Sequence, residues 1–287
     1  MTRRFLYALL SLVLVVGCEF DNVDVEDSYI ELGGETLGDV DLSPYWDWAD
    51  AWPGAVGSTL ERISDGEAVI EGGYEKFMYD YDGDVYALQS TGYYAAPTET
   101  IQVEVPVGTN TDNLYCQIGI GHALYEGQSR IRYDDVTLKT KLTVGTNRIM
   151  SYFGGHVYIY YNHDEGSIPA EDITLKFHNV IVSPDYVDGV TDERDWLATI
   201  TPGTDDDGNE IEVLPYAEFR SETVIVTLET QYLQSESTQP GEHMAALNAY
   251  ASAMLEYAGY MDTLSQQPVR LYMDIQLPDS STSANFD

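Results

Sequence analysis

The sequence predicts a mainly β protein, a β-sandwich followed by an α+β portion. Three observations carry this. First, 23 of 287 residues are Tyr and the aromatic share is 12%, a composition common in extracellular β proteins. Second, the stretch Ile101-Gln102-Val103-Glu104-Val105 alternates strictly, with Ile101, Val103 and Val105 on one side and Gln102 and Glu104 on the other. A period of two marks a strand with one buried and one wet face. Third, the pattern changes after Pro184. Short strands and turn signals give way to helical spacing, and strand, helix and strand in that order suggest α+β.

The chain opens on a short positive region, Arg3 and Arg4, then an apolar run from Phe5 to Val16, then Gly17-Cys18. The run is too short to span a bilayer and fits a signal-peptide core. A small residue before a cysteine resembles a bacterial lipobox. It implies a signal peptide over residues 1–17 and lipidation of Cys18, with a membrane anchored through several acyl chains. Residues 18–42 form an acidic tether. From Glu19 to Asp41 it carries nine Asp and Glu and no Lys or Arg, and like charges keep it extended. Acidic residues just after Cys18 resemble the signal that sends some lipoproteins to the cell surface of the outer membrane. The formal net charge of −36 repels nucleic acid and anionic lipid, so nucleic acid is not a partner. The other cysteine, Cys116, lies in Leu114-Tyr115-Cys116-Gln117-Ile118. With Cys18 lipidated no internal disulfide forms, and Cys116 reads as a small buried hydrophobe.

Trp46, Trp48 and Trp52 cluster beside Asp47 and Asp50. Aromatic faces next to carboxylates suit sugar rings, although aromatics more often fill cores. Tyr93 and Tyr94 are the other candidate glycan contacts. Asp80-Tyr81-Asp82-Gly83-Asp84 and Asp205-Asp206-Asp207-Gly208-Asn209 invite a calcium reading. Both place glycine fourth where an EF-hand loop needs it sixth, so hairpin turns are predicted instead.

The sandwich is expected over residues 43–183. Ser90 to Pro97 reads as a tight turn entering the strand at Thr100. Further strands are expected at Leu114–Ile120, Val136–Thr140, Lys141–Val144, His156–Tyr161, Ile173–Phe177 and Val180–Val182. Residues 184–287 form the second portion. It has a short helix over Asp192–Ile200 capped by Thr191 or Asp192, a strand at Thr223–Leu228, a long helix from Pro240 and a strand at Val269–Leu277. Met244, Leu247, Ala251, Met254, Ala258 and Met261 form one apolar stripe. The sandwich is expected to resist proteolysis and the part beyond Val182 to be looser.

Four elements carry a family resemblance. Ser90-Thr91-Gly92-Tyr93-Tyr94-Ala95-Ala96-Pro97-Thr98-Glu99 through Val105-Pro106, Ser151-Tyr152-Phe153-Gly154-Gly155-His156-Val157-Tyr158-Ile159, Leu214-Pro215-Tyr216-Ala217-Glu218, and Tyr272-Met273-Asp274-Ile275-Gln276-Leu277 occur in order. Together they resemble the leading part of the enhancin-like, mucin-degrading zinc metallopeptidases, peptidase family M-sixty. Thr98 stands where that family usually has Gly. The resemblance implies a sandwich leading into an incomplete zincin-like α+β domain, with mucins or related host and dietary glycoproteins as partners. Family members carry His-Glu-x-x-His, whose two His bind zinc on one helix face while the Glu activates water. The five histidines here, His122, His156, His163, His178 and His243, include no pair four apart, and each reads as a surface or turn residue. No catalytic or metal-binding residue is therefore assigned. Zinc is expected only if the chain continues, and the pattern looks like a catalytic domain cut short. A glycan- or glycoprotein-binding surface lipoprotein without catalysis is the alternative, and a purely structural surface protein a third.

Overall fold

The computed structural model describes residues 54–57, 59–74, 87–120, 136–163, 165–204, 208, 210–233, 239–257 and 268–273. All of them belong to one compact unit. In chain order the strands are β1 (Gly66–Ile70), β2 (Gln89–Ala95), β3 (Thr100–Val105), β4 (Leu114–Ile118), β5 (Leu138–Lys141), β6 (Gly145–Met150), β7 (Gly155–Tyr161), β8 (Ile173–His178) and β9 (Ile181–Val182). Next come β10 (Tyr186–Val187), helix α1 (Glu193–Ile200), β11 (Gly203–Thr204), β12 (Glu210–Ile211), β13 (Tyr216–Arg220) and β14 (Val224–Glu229). Helix α2 (Pro240–Tyr257) and β15 (Val269–Tyr272) complete the set. The fold is mainly β, as the sequence predicts.

The first sheet runs β1-β8-β3-β6 and the second β5-β4-β7-β2-β9. Every pairing in both is antiparallel. Alternation decides what lies between them. Ile101, Val103 and Val105 of β3 and Leu175 and Phe177 of β8 point inward, to meet Leu114, Cys116 and Ile118 of β4 and Val157, Ile159 and Tyr161 of β7. All are buried, so this is one sandwich core. Each side chain that leaves water there contributes roughly 1.5–3 kcal/mol.

All seven residues of β7 are buried, because a third sheet covers the outer face of the second. That sheet runs β10-β13-β14-β15, with β10 parallel to β13 and β14 parallel to β15. Its far face packs on the helices through Tyr186, Trp196, Ile200, Ala217, Phe219, Val224 and Met244. The chain leaves the second sheet at Val182 and enters the third at Tyr186. Three sheets and a helical layer therefore stack in sequence.

Several expectations need correction. Ser90–Pro97 is not a turn: most of it is β2, and the turn falls at Pro97-Thr98. The pairing of β2 with β7 shifts register between Ser90 and Tyr94, and Gly92 takes φ +79°. That bulge supplied the turn-like signal. No strand spans 141–144; β5 ends at Lys141 and β6 starts at Gly145. β1 and β6 escaped notice because β6 is an edge strand with a single buried residue, Ile149. Helix α1 takes Asp192 as its cap, with Oδ1 accepting from the amides of Arg194 and Asp195 at 2.9 and 3.1 Å. On α2, Met244 is buried and Leu247 partly so, but Met254 is 52% exposed. The expected stripe does not stay buried that far, and Ala258 and Met261 lie outside the described residues. β11 pairs antiparallel with β12, and of Asp205–Asn209 between them only Gly208 is among the described residues. Asp80–Asp84 lies outside the described residues.

Candidate functional site

The most concentrated chemistry lies in the seam between the second and third sheets. Period-two alternation puts it there. If Val157, Ile159 and Tyr161 enter the sandwich core, then His156, Tyr158 and Tyr160 must face the other way. On β13, Ala217 and Phe219 face the helices, so Tyr216, Glu218 and Arg220 face the seam. Thr227 of β14 and Arg270 of β15 join them. The result is a layer with buried charges at its centre, flanked by small apolar clusters, with a larger apolar core on each side.

Glu218 and Arg270 are its centre, and both are buried. Glu218 Oε1 accepts from Arg270 Nη1 at 2.5 Å, Tyr158 Oη at 2.8 Å and Thr227 Oγ1 at 2.9 Å. The Arg270 guanidinium lies 4.7 Å from the centre of the Tyr158 ring. Burial works to raise the Glu218 carboxyl, but the Arg270 charge outweighs it and holds the carboxyl well below the usual range. Burial and the Glu218 charge together push the Tyr158 phenol well up, so it remains a proton donor to the carboxylate.

A second group sits beside the first. Arg220 pairs with Asp185 at 3.3 Å. Ser183 Oγ donates to Asp185 Oδ1 at 2.5 Å and lies 3.0 Å from His156 Nδ1. Burial, then the nearby Glu218 charge, raises the Asp185 carboxyl. Serine, histidine and aspartate so close suggest a nucleophilic triad, but the order is wrong. A triad places imidazole between hydroxyl and carboxylate; here the hydroxyl sits between the other two. His156 also lines a cavity of about 10 Å³ with Gly119, Gly155, Tyr216 and Thr227. That holds about one water and no sugar or peptide. The arrangement holds two sheets together and does not expose a reacting atom.

The sequence-predicted contacts fare differently. Tyr94 is fully buried, its Oη donating to Gly54 O at 3.0 Å and its ring 5.4 Å from His156 in an edge contact. It presents no face to a glycan. Tyr93 is half-buried with its ring 5.2 Å from Phe177. Its Oη donates to Glu67 O at 3.0 Å and accepts from Glu67 N at 2.8 Å, so the hydroxyl is spent on β1. Trp46, Trp48, Trp52 and Cys18 lie outside the described residues. Cys116 is buried and its thiol is pushed up to about 12 by burial, which leaves it unreactive at neutral pH. His156 is a correction: it is buried and is neither a surface nor a turn residue. His163 and His243 are exposed, His178 lies 3.1 Å from Glu104, and His122 is outside the described residues. Glu218 and Arg270 were missed as a pair. The signal was present: each is the one charged residue between apolar neighbours, in Tyr-Ala-Glu-Phe and Val-Arg-Leu-Tyr.

A zinc centre of the kind the resemblance implies does not fit these residues. The sequence contains no His-Glu-x-x-His. Among the described residues no three His, Cys, Asp or Glu side chains are grouped to hold a metal ion. Among the buried carboxylates, Glu218 and Asp185 are engaged by arginines and Glu229 by Gln231.

Comparison with known proteins adds a family likeness over part of the chain. Residues 75–176 match the N-terminal domain of M60-like peptidases. No curated protein matches the chain. Among solved structures, a functionally unknown conserved protein from Bacillus anthracis str. Ames aligns at a TM-score of 0.50 and 16% identity, over 74% of this chain and 42% of that one. The M60 catalytic domain of ZmpC from Clostridium perfringens, in complex with the sialyl T antigen, aligns at 0.50 and 13% identity, over 75% and 45%. The IMPa metallopeptidase from Pseudomonas aeruginosa aligns at 0.50 and 14% identity, over 75% and 26%. At these identities the likeness is one of fold. The chain spans less than half the length of each of these structures. Over residues 75–176, then, this chain is similar to the N-terminal domain of M60-like peptidases.

Proposed function

We propose that this chain is the leading portion of a surface-anchored M60-like metallopeptidase directed at mucin-type glycoproteins. The observation that carries the reading is the family match over residues 75–176. The complex of the ZmpC domain with the sialyl T antigen supports the glycoprotein target. The lipobox reading supports lipidation at Cys18, with the acidic tether holding the protein off the outer membrane at the cell surface. These 287 residues contain no His-Glu-x-x-His, so no peptide hydrolysis is assigned to them. Catalysis would need a His-Glu-x-x-His segment from a longer product. Trp46, Trp48 and Trp52 are the proposed sugar contacts. Tyr93 and Tyr94 are withdrawn from that role by their burial and bonding.

The alternative, a glycoprotein-binding lipoprotein without catalysis, is favoured by the missing motif. Both readings require binding. A mucin-type glycopeptide bearing sialyl T antigen, immobilised on a biosensor beside the bare peptide, tests it. Binding to the glycosylated form alone is expected, with loss on replacing all three Trp by Ala. Equal signal from both peptides would contradict the reading. For the anchor, labelled palmitate should enter the wild-type protein in a Gram-negative host and not Cys18→Ala. Equal labelling would remove the lipoprotein assignment.

A further inference from the structure

Both arginines of the seam converge on one short stretch of the second sheet. Arg270 Nη2 donates to Leu88 O at 3.2 Å and to Ser90 Oγ at 2.8 Å. Arg220 Nη1 reaches Ser90 O at 3.5 Å. That stretch opens the bulge. In a regular antiparallel strand the carbonyls lie within the sheet and bond neighbouring strands. They do not address a layer stacked above. A bulge bends the strand and re-aims its groups.

Each residue of the bulge has its own contact. Thr91 Oγ1 donates to Val157 O at 2.6 Å, so a side chain bonds β7 where register is lost. Gly92 takes φ +79°, a conformation open to glycine at little cost. Its carbonyl accepts from Ser183 N at 2.9 Å, the first residue of the connection into the third sheet. Ser90 offers Oγ to one arginine and its carbonyl to the other. The bulge therefore touches the third sheet twice and its incoming chain once.

The layers on either side differ in kind from the seam. The sandwich core is built of aliphatic and aromatic residues, and so is the helix-side core of the third sheet. Between them lie two ion pairs, a serine and a histidine, flanked by two small apolar clusters that bridge the seam, Tyr94 and Ile181 with Leu214 and Tyr216, and Leu88, Tyr158 and Tyr160 with Tyr272. Contact of mixed polarity between two bodies that each have a main apolar core of their own is the pattern of an interface between domains. A buried ion pair adds little net stability over apolar packing but fixes which groups meet.

We propose that the Ser90–Tyr94 bulge is a docking socket that seats the third sheet on the sandwich through Arg270, and that the third sheet with its helices can undock as a unit while the sandwich stays folded. The socket sets where β15 lies. It also assigns a task to the Ser-Thr-Gly run of the chain's most family-like stretch. The proposal rests on geometry alone and holds whether or not the protein is a peptidase.

Hydrogen exchange on the 287-residue chain at neutral pH, resolved by segment, tests it. Arg270→Met removes the key, and Ser90→Ala removes one acceptor of the socket while leaving every charge in place. In both, segments within 214–229 should exchange faster. The expected factor is about tenfold for Ser90→Ala, the order set by one lost buried hydrogen bond, and larger for Arg270→Met. Segments within 101–105 and 173–178 should keep wild-type rates. Unchanged exchange at 214–229 in both variants would overturn the proposal. So would equal acceleration in the sandwich, or failure of both variants to fold, because either result would make the bulge part of the sandwich's own stability.

Discussion

Thr98 shows how much one position can reveal. It sits in the turn between β2 and β3 with φ +64°, where the Cβ of a β-branched residue is crowded. Its amide donates to Ser151 O at 2.7 Å, so the surroundings hold it there. The family's usual Gly at this place is what the backbone asks for. Thr98→Gly should therefore stabilise the fold by about 1 kcal/mol, read as a higher urea midpoint with unchanged slope. A lower midpoint would show the strain to be absent. Glu218 is the opposite case, a residue whose environment was built for it. Replacing it with Gln leaves Arg270 buried without a counter-charge and should cost about 3 kcal/mol at neutral pH. The pH dependence of that cost follows from the depressed carboxyl. Its stabilisation is present above the ordinary carboxylate value, about 4.3 for Glu, and is lost as pH falls through the folded value. The gap between wild type and Glu218→Gln should thus close in acid. A gap that stays constant down to acid unfolding would mean that the ion pair is not the source. Asp185 carries the reverse sign, since its folded value is raised; it favours the fold slightly more as pH falls toward the ordinary Asp range.

Among the elements, legibility followed burial geometry. β3 was plain because one face is buried and one is wet, which prints a period of two into the sequence. β7 was found from its run of apolar residues, yet its second buried face was not. Tyr, Val and Ile read alike whether a strand is covered on one side or both. β2 was misread because its bulge breaks the alternation and its Gly92 is a turn residue by composition. β6 was missed because an edge strand has little to bury. The helix α1 was legible through Asp192, whose side chain caps it as the spacing implied. On α2 the apolar stripe continued in the sequence beyond the point where the third sheet supports it. Burial there predicts different costs along one stripe. Met244→Ala should cost about 2–4 kcal/mol and Met254→Ala less than about 0.5 kcal/mol, both from chemical unfolding. Similar costs at the two positions would mean that Met254 is covered in solution.

For the whole molecule, the seam was the part of the fold least visible in the sequence. Glu218 and Arg270 are 52 residues apart, on strands that pair with β14 and not with each other. Nothing local announces their meeting. The lone charges in apolar strands were the trace they left. The lack of a His-Glu-x-x-His, by contrast, was legible at once, because such a motif is a short-range pattern. At this scale the described residues form a sandwich with a third sheet stacked on it, and surface contact with glycoprotein is the proposed role. The most direct test is to incubate the purified chain with zinc and a sialylated mucin-type glycopeptide, then measure bound zinc by elemental analysis and peptide cleavage by mass spectrometry. The account predicts an intact glycopeptide and zinc well below one per chain. Stoichiometric zinc with cleavage of the peptide would contradict it.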